Sequence, residues 1–169
     1  NCNGGKTYQV NTFIIEKLRE NPNTPVLQLS VRIVHARDIA KECNEAFERA
    51  KLTRNGELLQ LHCYKDEKVT ERAEQIHLVI SCESIAQGAL GDTSRFRDGI
   101  LVVDEAYIDY ATAADGSPAG LAASFIPKLA AHPNVLVLRT FSKSYSMAGA
   151  RLGLMFASAE LTEHMNKVK

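Results

Sequence analysis

The chain has 169 residues, of which 45% are hydrophobic and 24% are charged, as is typical of a soluble globular domain. Lysine plus arginine and aspartate plus glutamate both number 20, so the net charge does not indicate a nucleic-acid or acidic partner. No apolar run approaches the roughly 18 residues needed to cross a bilayer, and no signal peptide opens the chain, so we predict a cytoplasmic protein without membrane contact.

Short apolar strands alternate with helical patterns along the chain. We predict strands at 26–31, 58–62, 76–81, 100–103, 135–138 and 152–157, and helices at 8–20, 36–50, 121–131 and 159–167. This alternation favours an α/β fold, with a mostly parallel sheet flanked by helices in three α/β/α layers, as a single compact domain. Such sheets bind ligands at the carboxyl ends of their strands, so functional residues are expected just after strands.

Cysteines and histidines do not form a metal-binding pattern in this sequence. The cysteines are widely spaced and contain no C-x-x-C pair, so free thiols are predicted for Cys2, Cys43, Cys63 and Cys82. The histidines also lack metal-ligand spacing, and we predict structural or solvent-facing roles for His35, His62, His77, His132 and His164. No metal site is therefore predicted from these residues.

Two predicted strands are followed by residues that suit one cofactor. Asp104 follows the strand at 100–103, and Tyr107 lies three residues further on. The strand at 135–138 runs into Arg139-Thr-Phe-Ser-Lys143, and Arg151 comes eight positions after Lys143. A lysine just past a strand, followed by small residues and an arginine, suits a cofactor that carries an aldehyde and a phosphate.

Each of these side chains has a chemical role on such a cofactor. The Lys143 amine forms an imine with the aldehyde, and Asp104 keeps a pyridine nitrogen protonated, which makes the ring an electron sink. Tyr107 hydrogen-bonds the phenolic oxygen of the ring and lowers the pKa of the imine. Two hydroxyls and a guanidinium bind the phosphate, those of Thr140, Ser142 and Arg151. Each residue alone is ordinary in α/β proteins, and their joint order favours the cofactor site.

The segments Asp104-Glu-Ala-Tyr107-Ile-Asp-Tyr and Arg139-Thr-Phe-Ser-Lys143-Ser-Tyr-Ser-Met-Ala-Gly-Ala-Arg151-Leu-Gly resemble the histidinol-phosphate aminotransferases, which are fold-type I pyridoxal-phosphate (PLP) enzymes. The resemblance covers about residues 99–169. It implies that Lys143 is the Schiff-base lysine and moves a proton between the substrate and the cofactor. It implies the same cofactor contacts as above, a small-molecule substrate (an amino acid or amino phosphate) and a homodimer. The family's substrate-binding small domain has no counterpart here, so full transamination is not expected.

The first residues of the chain predict a different ligand. Gly5, Lys6 and Thr7 lead directly into a helix, as the end of a phosphate-binding loop does, although the earlier glycine of that motif is missing. A plain turn is an equally good interpretation of these residues alone. Together with the strand at 76–81 and Asp104-Glu105, they resemble the first ATPase domain of superfamily 2 helicases of the origin-binding type, over about residues 1–106.

The helicase resemblance implies ATP and magnesium as ligands and nucleic acid as a partner. Lys6 and Thr7 would then bind nucleotide phosphate and magnesium, while Asp104 and Glu105 would hold magnesium and polarise water. The two resemblances overlap at residues 102–106, which predicts a helicase-like P-loop half at 1–98 and a PLP-binding half at 99–169, sharing one continuous sheet. Three hypotheses remain: an aminotransferase-like fragment, a nucleotide-binding module, and an inert chimeric or designed scaffold.

Overall fold

The computed structural model describes residues 6–31, 33–66, 75–82, 84, 92–113 and 115–167. The helices are α1 (Lys6–Glu20), α2 (Ile33–Arg49) and α3 (Ala159–Lys167). The strands are β1 (Val26–Ser30), β2 (Thr53–Arg54), β3 (Glu57–Leu58), β4 (His62–Cys63), β5 (His77–Ser81), β6 (Ile100–Asp104), β7 (Val135–Thr140) and β8 (Gly153–Phe156). None of the described helices is long and apolar enough to cross a membrane.

Six strands form one sheet in the order β4-β5-β1-β6-β7-β8. All neighbouring pairs are parallel except β7 with β8, which are antiparallel. Strand β1 lies between β5 and β6, with Val26 opposite both His77 and Ile100. The first strand of the chain is therefore central in the sheet, and strands on both sides of residue 98 are hydrogen-bonded neighbours.

The two faces of the sheet bury alternate residues of each strand. On one face, Val26, Val79, Val102 and Leu136 join the core formed by α1, α2 and Met165 of α3. The opposite face carries two smaller clusters, around Leu27, Leu78, Ile80 and Phe96 and around Val103, Val135 and Val137. Period-two burial on both faces is expected of buried parallel strands covered on two sides. The α/β fold with a mostly parallel sheet, flanked on both faces, is confirmed.

The second cover of the sheet is made of short 3-10 helices rather than of the predicted helix at 121–131. Two 3-10 helices, Gly120–Ala123 and Ile126–Ala131, replace that helix. The amide of Phe125 donates to Glu105, and the amide of Ile126 donates to the Ser124 hydroxyl at 3.1 Å. Neither amide is therefore available for the hydrogen bonds of a continuous α-helix. The first 3-10 helix ends at Ala123, and the second begins at Ile126.

The predicted strand at 58–62 is also wrong in extent. Its first residue belongs to a two-stranded hairpin, β2 with β3, and its last residue begins β4, which pairs with β5. Asn55 and Gly56 join β2 to β3 with φ angles of 53° and 84°, the two positive values that a tight hairpin turn needs. The apolar residues Leu59 and Leu61 of this segment are buried in the main core without belonging to a strand.

The two ends of the described chain contact each other through α1 and α3. The Nε2 atom of His164 lies 3.1 Å from the Glu16 carboxylate, and its ring packs edge-on against Phe13 at a centroid distance of 5.3 Å. Phe13 is 1% exposed, so this aromatic contact is part of the core. Helix α3 consequently completes the layer that α1 and α2 begin.

Gly99 precedes β6 at a point where no side chain fits. A Cβ atom on residue 99 would overlap the carbonyl group and ring of Pro25, which leads into β1. We predict that Gly99→Ala lowers the free energy of unfolding by about 1–3 kcal/mol, because the overlap is with backbone and must displace a strand. The control is Gly149→Ala, where a Cβ meets nothing within 4 Å. Equal urea midpoints for the two variants would contradict the prediction.

His77 gives the fold a predicted pH dependence. Burial lowers its pKa from 6.5 to about 4, with smaller contributions from the charges of Arg54 and His62, although its hydrogen bond to the Thr24 carbonyl opposes the shift. Between about pH 6.5 and pH 4 the unfolded chain binds a proton at His77 that the folded chain does not. Stability should therefore fall with falling pH across this window, by about 1 kcal/mol per pH unit.

Urea unfolding measured at several pH values tests this prediction. The His77→Gln variant should lose this part of the pH dependence, because glutamine does not titrate. The exposed His132 provides the control, since His132→Gln should keep the slope of the unsubstituted chain. An identical slope in the His77→Gln variant would show that another group is responsible.

Candidate active site

The carboxyl ends of the four central strands meet at one edge of the sheet. Ser81, Ser30, Asp104 and Thr140 are the last residues of β5, β1, β6 and β7, which run parallel and are neighbours in the order β5-β1-β6-β7. Loops that leave these ends must lie side by side, because the strands themselves are spaced by their hydrogen bonds. We call this region the carboxyl edge, and it contains the PLP-site residues predicted from the sequence.

Asp104 closes β6 and shapes the turn that follows it. Its Oδ1 atom accepts a hydrogen bond of 3.0 Å from the amide of Ala106. The chain then turns at Tyr107 into a short 3-10 helix, Ile108–Tyr110, whose first amide donates to the Glu105 carbonyl at 3.1 Å. The half-buried carboxylate of Asp104 is thus held at the strand end by its own backbone turn.

Lys143 and Tyr107 come together at the carboxyl edge. The Nζ atom of Lys143 lies 5.3 Å from the centroid of the Tyr107 ring, within the range of a cation–π contact. Lys143 is exposed, and Tyr107 is half-buried. These residues are 36 positions apart in sequence, and the parallel pairing of β6 with β7 brings their loops together. The amine is therefore accessible while its position is biased by the aromatic ring.

The loop that carries Lys143 is held at both ends. The Thr140 hydroxyl donates to the Ser142 hydroxyl at 3.0 Å, and the Ser142 amide donates back to Thr140 Oγ1 at 3.2 Å. Beyond Lys143, the Ser144 hydroxyl donates to the Asp109 carboxylate at 2.5 Å, which joins this loop to the one after β6. The two predicted phosphate-binding hydroxyls are adjacent to each other.

Arg151 is placed differently from the other predicted phosphate ligands. It is exposed, has a left-handed backbone with φ 52°, and donates a long hydrogen bond of 3.4 Å to the Ala148 carbonyl. Among the described residues, no hydrogen bond joins its guanidinium to Thr140 or Ser142. Its role as a phosphate ligand stays a prediction that needs the side chain to turn toward them.

Glu105 has a set of contacts that the sequence did not suggest. It is 5% exposed, and its carboxylate accepts hydrogen bonds from the Ser124 hydroxyl at 2.8 Å and from the Phe125 amide. The Arg139 guanidinium donates to the same carboxylate at 3.2 Å. One buried charge thus connects β6, β7 and the 3-10 segment that covers the sheet. The helicase interpretation assigned this carboxylate to magnesium and water, whereas here it already has three protein donors.

His35 is a further residue at the carboxyl edge, and sequence reasoning placed it in a structural or solvent role. It lies in the first turn of α2, directly after β1, and its ring stacks on Tyr107 at a centroid distance of 6.2 Å and an interplanar angle of 25°. The only sequence signal was its position shortly after a predicted strand. Nothing in the spacing of His35 and Tyr107 along the chain indicates their contact.

Cys82 follows β5 at the same edge. Burial of its sulfur raises the thiol pKa, and the negative charges of Asp104 and Glu105 raise it further, although the residue as a whole is exposed. Cys82 therefore stays protonated at neutral pH and is a poor nucleophile. Cys43 and Cys63 are also free, as predicted, while Cys2 lies outside the described residues.

The predicted nucleotide site is only partly described. Gly5 and the side chain of Lys6 lie outside the described residues, and Thr7 is half-buried in the first turn of α1. Thr7 lines an open groove between α1 and α2, together with Asn11 and Arg19. In the described part of the chain, no hydrogen bond or ion pair joins Thr7 to Asp104 or Glu105. That part also contains no cluster of three histidine, cysteine or carboxylate side chains around a metal position.

The Glu105 contacts generate a prediction about stability. We expect Glu105→Ala to lower the free energy of unfolding by about 3 kcal/mol, because it leaves a guanidinium, a hydroxyl and an amide without their acceptor. The control is Glu163→Ala, which removes an exposed pair with Lys167 and should cost less than about 0.5 kcal/mol. Urea unfolding measures both, and a cost for Glu105→Ala no larger than that of the control would contradict a structural role.

Comparison with known proteins finds relatives for the C-terminal half of the chain. The model of the family "Aminotransferase class I and II" matches residues 89–169. A histidinol-phosphate aminotransferase of Cytophaga hutchinsonii is 48% identical over 71 residues, which is 42% of this chain and 18% of that protein. The enzyme of the same name from Parabacteroides distasonis is 38% identical over 89 residues, or 53% of this chain and 23% of that protein.

A solved structure was also found, the histidinol-phosphate aminotransferase of Sinorhizobium meliloti in complex with pyridoxal-5'-phosphate. It aligns with 95% of this chain and 43% of its own, at 20% sequence identity and a TM-score of 0.44. That score is too low to define a shared fold. The chain spans about a fifth of the length of the two curated relatives, at 18% and 23%. Its C-terminal half is similar to class I and II aminotransferases.

Proposed function

We propose that the carboxyl edge binds PLP through Lys143 and that the chain is an aminotransferase-like fragment. The observation that carries this proposal is the position of the Lys143 amine, 5.3 Å from the Tyr107 ring, beside the strand that ends in Asp104. It is supported by the similarity of residues 89–169 to aminotransferases. The C-terminal relatives carry the name of an enzyme that acts on histidinol phosphate, so an amino phosphate is the proposed substrate class.

The residues at this edge suit the chemistry of PLP. The cofactor needs an amine for its aldehyde, a carboxylate for its ring nitrogen, and hydroxyls for its phosphate. Lys143 is exposed, Asp104 is held at a strand end, and the hydroxyls of Thr140 and Ser142 lie 3.0 Å apart. When bound, PLP supplies an electron sink that stabilises negative charge on the carbon next to the substrate nitrogen.

Each side chain has a defined task in this proposal. Lys143 would hold the cofactor through its aldehyde, with water as the leaving group. Asp104 would hold a proton on the ring nitrogen, and Tyr107 would donate a hydrogen bond to the phenolic oxygen. The phosphate is bound by Thr140, Ser142 and, after a change of side-chain conformation, Arg151. With a substrate amine in its place, Lys143 would be the group that accepts and returns the substrate's proton.

The N-terminal half enters the proposal as a structural part of the same sheet. Division into halves at residues 1–98 and 99–169 remains a proposal. Strand β1 of the first half pairs directly with β6 of the second, and β5 pairs with β1 on its other side. We propose a homodimer, because the resembled enzymes complete their site across two subunits. Nucleotide binding is not proposed, since Glu105 is committed to three protein donors and Asp104 cannot serve both magnesium and a ring nitrogen.

Reduction with borohydride in the presence of PLP tests the proposal directly. We predict a visible absorbance band on adding PLP, and a stable pyridoxyl adduct on Lys143 that peptide mass spectrometry locates. Lys143→Ala should abolish both signals. Lys128→Ala is a matched control, since Lys128 is also exposed and lies 5.6 Å from an aromatic ring, that of Phe125. An adduct spread over several lysines, or unchanged in the Lys143→Ala variant, would overturn the proposal.

A further inference from the structure

Tyr107 is the residue of the proposed site whose position depends most on its neighbours. It lies in the turn after β6, outside any regular helix or strand, with φ −117°. Its ring lies near those of His35 and Tyr110 and near the amine of Lys143. A phenol that must donate one hydrogen bond to a cofactor oxygen needs a fixed ring plane, because hydrogen bonds weaken steeply with misalignment.

Of these three neighbours, His35 has the most rigid support. Tyr110 is 60% exposed, and Lys143 is exposed at the end of a flexible four-carbon stem. His35 lies in a 17-residue helix and is followed directly by Ala36, which is fully buried in the main core. Its ring is also the one closest to parallel with Tyr107, at 25° against 43° for Tyr110.

We propose that His35 is a positioning residue for the PLP site, which fixes the Tyr107 ring by stacking on it. This inference rests on the proposed function for its effect on the cofactor. Helix α2, at Ile33–Arg49, lies outside the segment that matches the aminotransferases, residues 89–169. The N-terminal half therefore contributes to the site as well as to the sheet, and it does so through a planar ring.

The stack has consequences for cofactor binding. Without the imidazole ring, Tyr107 samples more orientations, and its hydrogen bond to the phenolic oxygen is formed for less of the time. PLP affinity should then fall several-fold in the His35→Ala variant. The pH midpoint of the visible PLP–lysine band should rise by roughly half a unit to one unit, as expected for partial loss of one hydrogen bond.

Three variants separate positioning from general stability. His35→Phe keeps a planar ring without a titratable group, so it should restore the affinity and pH midpoint of the unsubstituted chain. His132→Ala is the matched control, because His132 packs on Phe125 at 5.3 Å, away from the proposed ligands. It should lower the melting temperature about as much as His35→Ala while leaving both cofactor readouts unchanged.

The outcomes distinguish this inference from the proposed function. A PLP–lysine band with the same affinity and pH midpoint in the unsubstituted chain and in His35→Ala would overturn the role of His35 and leave PLP binding intact. If the unsubstituted chain forms no band, the proposed function fails, and the stack is tested by NMR of the Tyr107 ring. A change of its ring resonances in His35→Ala, reversed in His35→Phe, supports the contact, whereas unchanged resonances overturn it.

Discussion

Strand β6 is hydrogen-bonded along both edges, to β1 on one side and to β7 on the other, and the rest of the structure depends on this double pairing. A parallel strand in this position is inside the sheet and covered on both faces, so its residues are apolar until it ends. Its end is therefore the first point at which polar side chains can be placed. The candidate site begins there.

Successive side chains of β6 and β7 point to opposite faces of the sheet, so the polar residues at the ends of these strands form two pairs. Val102 and Leu136 belong to the core under the helices, whereas Val103 and Val137 belong to the opposite face. Continuing the period of two places Asp104 and Thr140 on the helical side, and Glu105 and Arg139 on the other. The first pair lies on the face of the sheet that α1 and α2 cover, and both residues belong to the proposed PLP site. The second pair forms an ion pair between buried Glu105 and half-buried Arg139, and Glu105 also accepts hydrogen bonds from the 3-10 segment.

Because Asp104 and Glu105 lie on opposite faces of the sheet, these adjacent carboxylates have different contacts. Glu105 is enclosed by Ser124, Phe125 and Arg139, and these contacts fix the cover of the sheet. Asp104 is half-buried and turns the chain toward Tyr107. Preorganised binding requires a rigid strand end, and the end of β6 cannot shift without breaking the pair of Glu105 and Arg139. Asp104, which is proposed to contact the PLP ring nitrogen, is held by the same strand end.

The sequence by itself determined five of the six strands of the main sheet, the free thiols at Cys43 and Cys63, and the order of residues that indicates PLP chemistry. Those features are local: an apolar run of the right length forms a buried strand, and residues next to its end share its edge. The tertiary structure alone decided that β1 lies between β5 and β6, that helix 121–131 is broken, and that Glu105 is structural. It also stacked the His35 ring on Tyr107 and directed the Arg151 guanidinium to the Ala148 carbonyl. Each of these depends on contacts between distant segments, which sheet pairing sets and which leave no periodic signal along the chain.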